Sequence, residues 1–303
     1  MEGYIYNTPQ GENVIKKIYD KQVKDLAVEY DDVFINTRFG KTHILRAGNA
    51  DGKPILFFHD SGSNTAISLL KYRELLNDYM IYAVDTIGQP GKSEQRVLST
   101  KNQEYGQWAS DIICSLGFDQ MICMGESFGG GILLKLMSVA PEKVSKGILF
   151  VPAGFVSTSK VNFIKKVSLR LYGITGAEKL LEKALAPFLG DNGLVDKRII
   201  EMTKVNLEHV KNNIIFTRFN KIQKDEISGE KTSFLIFTGG KDEIFSGKKL
   251  AKRAKKMLPN AEVHLLKDSS HFIFANEDRK RYIRQRIDSF IKKQKTRSVL
   301  KSG

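Results

Sequence analysis

The chain has 303 residues, 41% hydrophobic and 27% charged, with 48 Lys and Arg against 34 Asp and Glu for a formal net charge of +14. A chain of that length buries a substantial core, and the apolar and charged balance is that of an ordinary globular protein. No uninterrupted apolar run reaches the ~20 residues of a membrane-crossing helix, residues 1–30 carry charges throughout without a secretory apolar core, and two cysteines are too few for a disulfide framework or a zinc site, so a cytoplasmic chain with buried, reduced Cys114 and Cys123 is expected. The positive charge is scattered over helices and loops. It is densest over 248–256 and 292–301, with no nucleic-acid motif beside it, and no nucleic-acid partner is expected.

Residues 1–30 are weakly patterned, and 14–19 read as a short helix or an extended arm. Residues 33–38 and 41–46 suit two strands joined by a turn at Phe39-Gly40. After a turn over 49–53, Pro54-Ile55-Leu56-Phe57-Phe58 is a continuous apolar run, the signature of a strand buried on both faces in a parallel sheet. His59-Asp60-Ser61-Gly62-Ser63-Asn64 leaves its carboxyl end, and a helix is expected over 65–76. A second buried strand, 80–84, runs into the Gly/Pro-rich loop Asp85-Thr86-Ile87-Gly88-Gln89-Pro90-Gly91-Lys92-Ser93. Helix 103–116 and strand 120–124 lead to Gly125-Glu126-Ser127-Phe128-Gly129, and a helix follows from Gly130. Another strand covers 146–151.

From 152 to 229 no strong strand is evident. Helical stretches at 162–172, 177–188, 195–212 and 214–222 read as a helical insertion, residues 153–229, between core segments 1–152 and 230–303. The alternation resumes with strand 232–238, helix 247–258, strand 261–266 and a closing helix over 276–293. Strands alternating with helices predict an α/β fold with a doubly wound, mostly parallel sheet. Ligands in such sheets bind beyond the carboxyl ends of the strands.

Gly125-Glu126-Ser127-Phe128-Gly129 is a G-x-S-x-G pattern in the strand–turn–helix context that a nucleophile elbow requires. A serine hydroxyl is a weak nucleophile by itself; it needs a base, and the base needs an orienting carboxylate. His271 follows the last strand and precedes the last helix, where a loop can carry an imidazole over the sheet. His264 lies mid-strand, and His43 and His209 do not fit the chain order Ser, acid, His. Asp242 follows strand 232–238 and two glycines, and is the preferred carboxylate; Glu243 and Asp268 are the alternatives. Charge developing on a carbonyl oxygen needs backbone N–H donors. Phe128, directly after the serine, and Ser61, in the loop after Phe58, are the expected pair, with Asp60 in second place; His59 is then a residue that holds this loop.

Ser127, Asp242 and His271 in that chain order resemble the α/β-hydrolase family. Phe57-Phe58-His59-Asp60-Ser61-Gly62 is similar to its His-Gly oxyanion loop, and residues 85–93 to its Asp-x-x-Gly-x-Gly-x-Ser loop, with one residue more at Gln89-Pro90-Gly91. The resemblance covers about 33–293 and implies a helical cap at 153–229. It implies an acyl-enzyme on Ser127, a proton shuttled by His271, and an imidazole oriented by Asp242, with no metal and no cofactor. Asp60 stands where the family has Gly; it is expected to point away from the reacting centre, capping the next helix or binding loop amides. The expected activity is hydrolysis of carboxylic esters of small to medium acyl groups, a small-molecule ester being the partner, in a monomer or homodimer. The same machinery serves C–C hydrolases, thioesterases, lactonases and acyltransferases, and a non-catalytic ligand receptor is the reading from another class. Phe155, Phe163, Leu169, Leu171, Tyr172, Phe188 and Phe216 are the apolar candidates for an acyl pocket, none assigned singly.

Overall fold

The computed structural model describes residues 4–157, 197–211, 214, 218–227, 232–274 and 276–293. The stretches expected to be helical at 162–172 and 177–188 lie outside the described residues, as do Phe163, Leu169, Leu171, Tyr172, Phe188 and Phe216. The described strands are β1 (Tyr30–Thr37), β2 (Gly40–Gly48), β3 (Lys53–Phe58), β4 (Tyr79–Val84), β5 (Met121–Glu126), β6 (Val144–Phe150), β7 (Ser233–Gly239) and β8 (Glu262–Leu266). They form one sheet in the order β1-β2-β4-β3-β5-β6-β7-β8. β2 runs antiparallel to β1 and β4, and every pairing from β4 onward is parallel. The described helices are α1 (Pro9–Lys24), α2 (Thr65–Lys71), α3 (Glu104–Ser115), α4 (Phe128–Val139), α5 (Lys197–His209), α6 (Gly247–Met257) and α7 (Glu277–Lys292).

The sheet is wound on both faces because alternate strand residues are apolar on both sides. Leu56 and Phe58 of β3, Cys123 of β5, Leu149 of β6 and Ile236 of β7 enter one core with Trp108 and Ile112 of α3, Leu133 and Leu136 of α4, and Leu250 and Ala254 of α6. Ile55 and Phe57, Met124, Ile148 and Phe150, and Leu235 and Phe237 enter the other, with Ile15 and Tyr19 of α1, Leu69 of α2, and Ile283 and Ile287 of α7. Each Leu, Ile, Phe or Met among them contributes about 1.5–3 kcal/mol when fully buried. Trp108 donates its indole N–H to Thr42 Oγ1 at 2.9 Å, so the largest buried ring also satisfies its polar atom. Phe155 is fully buried in the first core; it packs the scaffold.

Two helices, one loop and one cysteine differ from the sequence expectation: residues 218–222, expected within a helix over 214–222, form an irregular segment whose Ile222 N donates to Gly154 O at 2.8 Å. The weakly patterned N-terminus holds the sixteen-residue helix α1. Thr8 caps it by accepting from Gly11 N, and Pro9 takes its first position, where a missing N–H costs nothing. The helix expected over 65–76 stops at Lys71, and Arg73–Asn77 continue as a 3₁₀ turn. Cys123 is buried as expected, with its thiol pushed up by that burial, but Cys114 is exposed on the outer side of α3.

α1 packs on α5, the described helix between β6 and β7. Tyr6 bridges Val210 in antiparallel fashion, Asn7 N donates to His209 O at 2.6 Å, and Lys211 N donates to Ile5 O at 2.9 Å. Gln22 donates from Nε2 to Arg198 O at 3.0 Å. Among the described residues, no helix is long and apolar enough to cross a membrane.

Candidate active site

Ser127 follows β5 and stands at the N-cap of α4 with φ 49° and ψ −106°, a left-handed backbone that a non-glycine residue adopts only where its surroundings impose it. Its N–H donates to Phe150 O at 2.9 Å, and its carbonyl accepts from Ala153 N at 2.8 Å. Strand and helix meet so closely that a Cβ at Gly125 would lie 2.5 Å from Gly129 O, and a Cβ at Gly129 would collide with Phe58 O. Gly129→Ala is therefore expected to force β3 and α4 apart, lowering stability by about 2 kcal/mol or more. A urea-unfolding midpoint equal to that of the unaltered protein would refute that packing.

His271 follows β8 and lies against the Phe245 ring, centroids 5.5 Å apart. Its Nε2 is 3.1 Å from Ser127 Oγ, and its Nδ1 is 2.9 Å from Asp242 Oδ2. Asp242 leaves the carboxyl end of β7 and its side chain is fully buried. Its other oxygen, Oδ1, accepts from Ile244 N at 2.7 Å and Phe245 N at 2.9 Å. That arrangement fixes the carboxylate, which fixes the ring. Of the five histidines, the structure brings only His271 to Ser127. The alternative acid Asp268 is exposed and paired with Lys241.

The loop after β3 is held from three sides. His59 donates from Nδ1 to Asp60 O at 2.7 Å and accepts from Thr86 N at its Nε2, 3.0 Å away. Burial lowers the pKa of this ring, in keeping with a neutral imidazole that accepts a backbone N–H. Gly62 N donates to Gln89 Oε1 at 3.0 Å, and Gly62 O accepts from Asn206 Nδ2 of α5 at 2.7 Å. Gln89, within the lengthened part of the 85–93 loop, also donates to Ile214 O at 3.3 Å. Ser61 sits between these anchors. Phe128 opens α4, whose first-turn N–H groups have no acceptor within the helix.

Asp60 does not cap the following helix; Asn64 does, accepting from Ile67 N at 3.2 Å. Asp60 Oδ1 instead meets Lys71 Nζ at 3.2 Å, and the same ammonium meets Glu126 Oε2 at 2.7 Å. Burial opposes all three charges. The two carboxylates nevertheless hold Lys71 above its usual range, and Lys71 with His59 holds Asp60 below its own. Burial pushes Glu126 up, with Lys71 offsetting it in part. Sequence reasoning missed Lys71: seven residues after Asn64 and at the end of a short helix, nothing in its spacing marked it.

Asp85 anchors the next loop. Its Oδ1 accepts from Thr65 N and Oγ1 at 3.0 and 2.9 Å. Its Oδ2 meets His43 Nδ1 at 2.8 Å and Lys92 N at 2.9 Å. Although fully buried, Asp85 is lowered to about 2, chiefly by His43.

A serine at a strained strand–helix elbow, beneath a histidine loop at the carboxyl edge of a mostly parallel doubly wound sheet, defines an α/β-hydrolase. The chain belongs, within that class, to the serine aminopeptidase S33 family, whose family model matches residues 73–279. It is 23% identical over 275 residues to carboxylesterase YbfK of Bacillus subtilis, covering 90% of this chain and 92% of that protein. The crystal structure of that esterase superposes with a TM-score of 0.79 at 20% identity, over 93% of this chain and 98% of the other. The naproxen esterase of Bacillus subtilis superposes with a TM-score of 0.79 at 19% identity, over 94% and 99%.

Proposed function

We propose that this protein is a serine carboxylesterase that hydrolyses esters of small to medium acyl groups through an acyl-enzyme. The observation that carries the reading is the line from Asp242 Oδ2 through the His271 ring to Ser127 Oγ, at 2.9 and 3.1 Å. The carboxylesterase relatives support it.

Ser127 Oγ attacks the ester carbonyl carbon as its proton passes to His271 Nε2. Asp242 stabilises the resulting imidazolium and keeps Nε2 facing the serine. The carbonyl oxygen, now negative, accepts from the N–H groups of Phe128 and Ser61. Collapse of this intermediate expels the alkoxide, which takes the proton from His271 and leaves as the alcohol. Water then attacks the acyl-enzyme, giving its proton to His271; collapse releases the carboxylic acid and returns the proton to Ser127. Residues 153–229 form the cap that sets acyl length on a core of 1–152 and 230–303, and Asn206 and Gln89 join that cap to the oxyanion loop.

The test is a series of p-nitrophenyl esters from acetate to dodecanoate, measured with the unaltered protein and with Ser127→Ala. Turnover that peaks at a short or middle chain and falls by about 10⁴-fold or more in the variant is expected. Hydrolysis that survives in Ser127→Ala would sink the reading. Turnover of aminoacyl p-nitroanilides with none of esters would replace it by peptide hydrolysis.

A further inference from the structure

Lys71 closes α2, the helix that begins just after the oxyanion loop. Its ammonium lies 3.2 Å from Asp60 Oδ1 and 2.7 Å from Glu126 Oε2, with side chains 9%, 21% and 6% exposed. Asp60 adjoins Ser61, and Glu126 adjoins Ser127. One buried cation therefore bridges the two backbone segments that meet around the reacting serine. α2 is a firm base for it: Asn64 caps the helix and the Asp85 carboxylate holds its first N–H.

We infer that Lys71 is a positioning residue for the acyl-transfer reaction: its ammonium offsets the charge that the Asp60 and Glu126 carboxylates place beside the oxyanion loop and the elbow, so that negative charge can develop at the Ser61 and Phe128 N–H groups. The inference rests on the serine-esterase reading above. Two carboxylates beside a site that must stabilise negative charge oppose the reaction, and in a water-poor setting solvent screens that opposition little. An ammonium held between them offsets much of that opposition without itself touching substrate. It also makes a carboxylate at position 60 compatible with a site that must stabilise negative charge.

The test compares the unaltered protein, Lys71→Met, and Lys71→Met combined with Asp60→Asn and Glu126→Gln. The readouts are kcat and KM for a p-nitrophenyl ester and the rate at which a fluorophosphonate labels Ser127. Lys71→Met is expected to lower kcat and the labelling rate by about 30-fold or more, with KM within about three-fold. Removing both carboxyl charges in the same protein is expected to restore both rates by about ten-fold or more. A merely structural ion pair would give neither the selective loss in kcat nor the rescue. Lys71→Met at the unaltered rate, or a loss that the triple variant does not relieve, overturns the inference. Where Lys71→Met alone does not fold, the triple variant decides by comparison with the unaltered protein: labelling within about ten-fold supports the neutralising role, and a loss of about 100-fold overturns it. Absence of Ser127 labelling in the unaltered protein would instead bring down the acyl-transfer reading itself, an outcome distinct from equal labelling with and without Lys71.

Discussion

His271→Ala is expected to lower ester kcat by about four to six orders of magnitude, and adding Ser127→Ala to it is expected to cost nothing further. The proposed chemistry moves one proton between Ser127 Oγ and His271 Nε2, 3.1 Å apart. Either group without the other leaves a hydroxyl with no base or a base with nothing to activate. The small rate that remains comes from binding and backbone N–H donors, which both variants retain. Steady-state hydrolysis of a p-nitrophenyl ester by the two single variants and the double variant checks this, with urea unfolding to show that each is folded. A loss under about ten-fold in His271→Ala, or losses that multiply in the double variant, would mean that the two residues do not act as a unit.

The second large effect falls on stability. Asp85→Ala is expected to destabilise the fold by about 3–5 kcal/mol, the range for removing one partner of a buried charged network. The carboxylate satisfies Thr65, His43 and the Lys92 amide together, and all three would be left facing a void. Its pH signature has a definite sign. Asp85 is lowered from 3.8 to about 2, so its contribution is complete above the unfolded value. It is lost as pH falls from about 4 towards 2, and is of order 2 kcal/mol. Urea midpoints measured from neutral pH down to pH 2 should fall over that window in the unaltered protein and less steeply in the variant. Parallel curves would show that Asp85 carries no such linkage.

Much of this fold is written in local pattern. Pro54–Phe58 and 121–124 are apolar on both pleat faces, and only a doubly covered strand uses such a run; both are central strands. The chain position of Ser127, Asp242 and His271 was likewise readable, because each sits just past a strand end and such ends converge in a parallel sheet. What stayed hidden was contact between distant segments. Nothing near Lys71 announces that its ammonium reaches Glu126, 55 residues on, and nothing near Asn206 announces Gly62. Asp60 shows the same limit: of the helix cap and the loop amides that local rules offer it, the cap falls to Asn64, and Asp60 meets Lys71 from the far end of that helix. The α1 start, by contrast, was legible in Thr8-Pro9, a cap residue followed by a helix-compatible proline. The periodicity alone supports only a short helix or an arm over 14–19, because the helix's apolar residues are sparse among lysines.

The seating of α1 on α5 gives the molecule an order of assembly. α1 is made well before α5, yet part of its seat, around Met202 and Val210, comes with α5 and the residue after it. At ~5–20 residues per second, roughly ten to forty seconds of synthesis separate the two helices. Through that interval Ile15, Tyr19 and Val23 face an unfinished partner while strands β1 to β6 leave the ribosome. α1 therefore completes its packing only once α5 has been made, and a nascent chain stalled before residue 197 carries part of α1's apolar face uncovered.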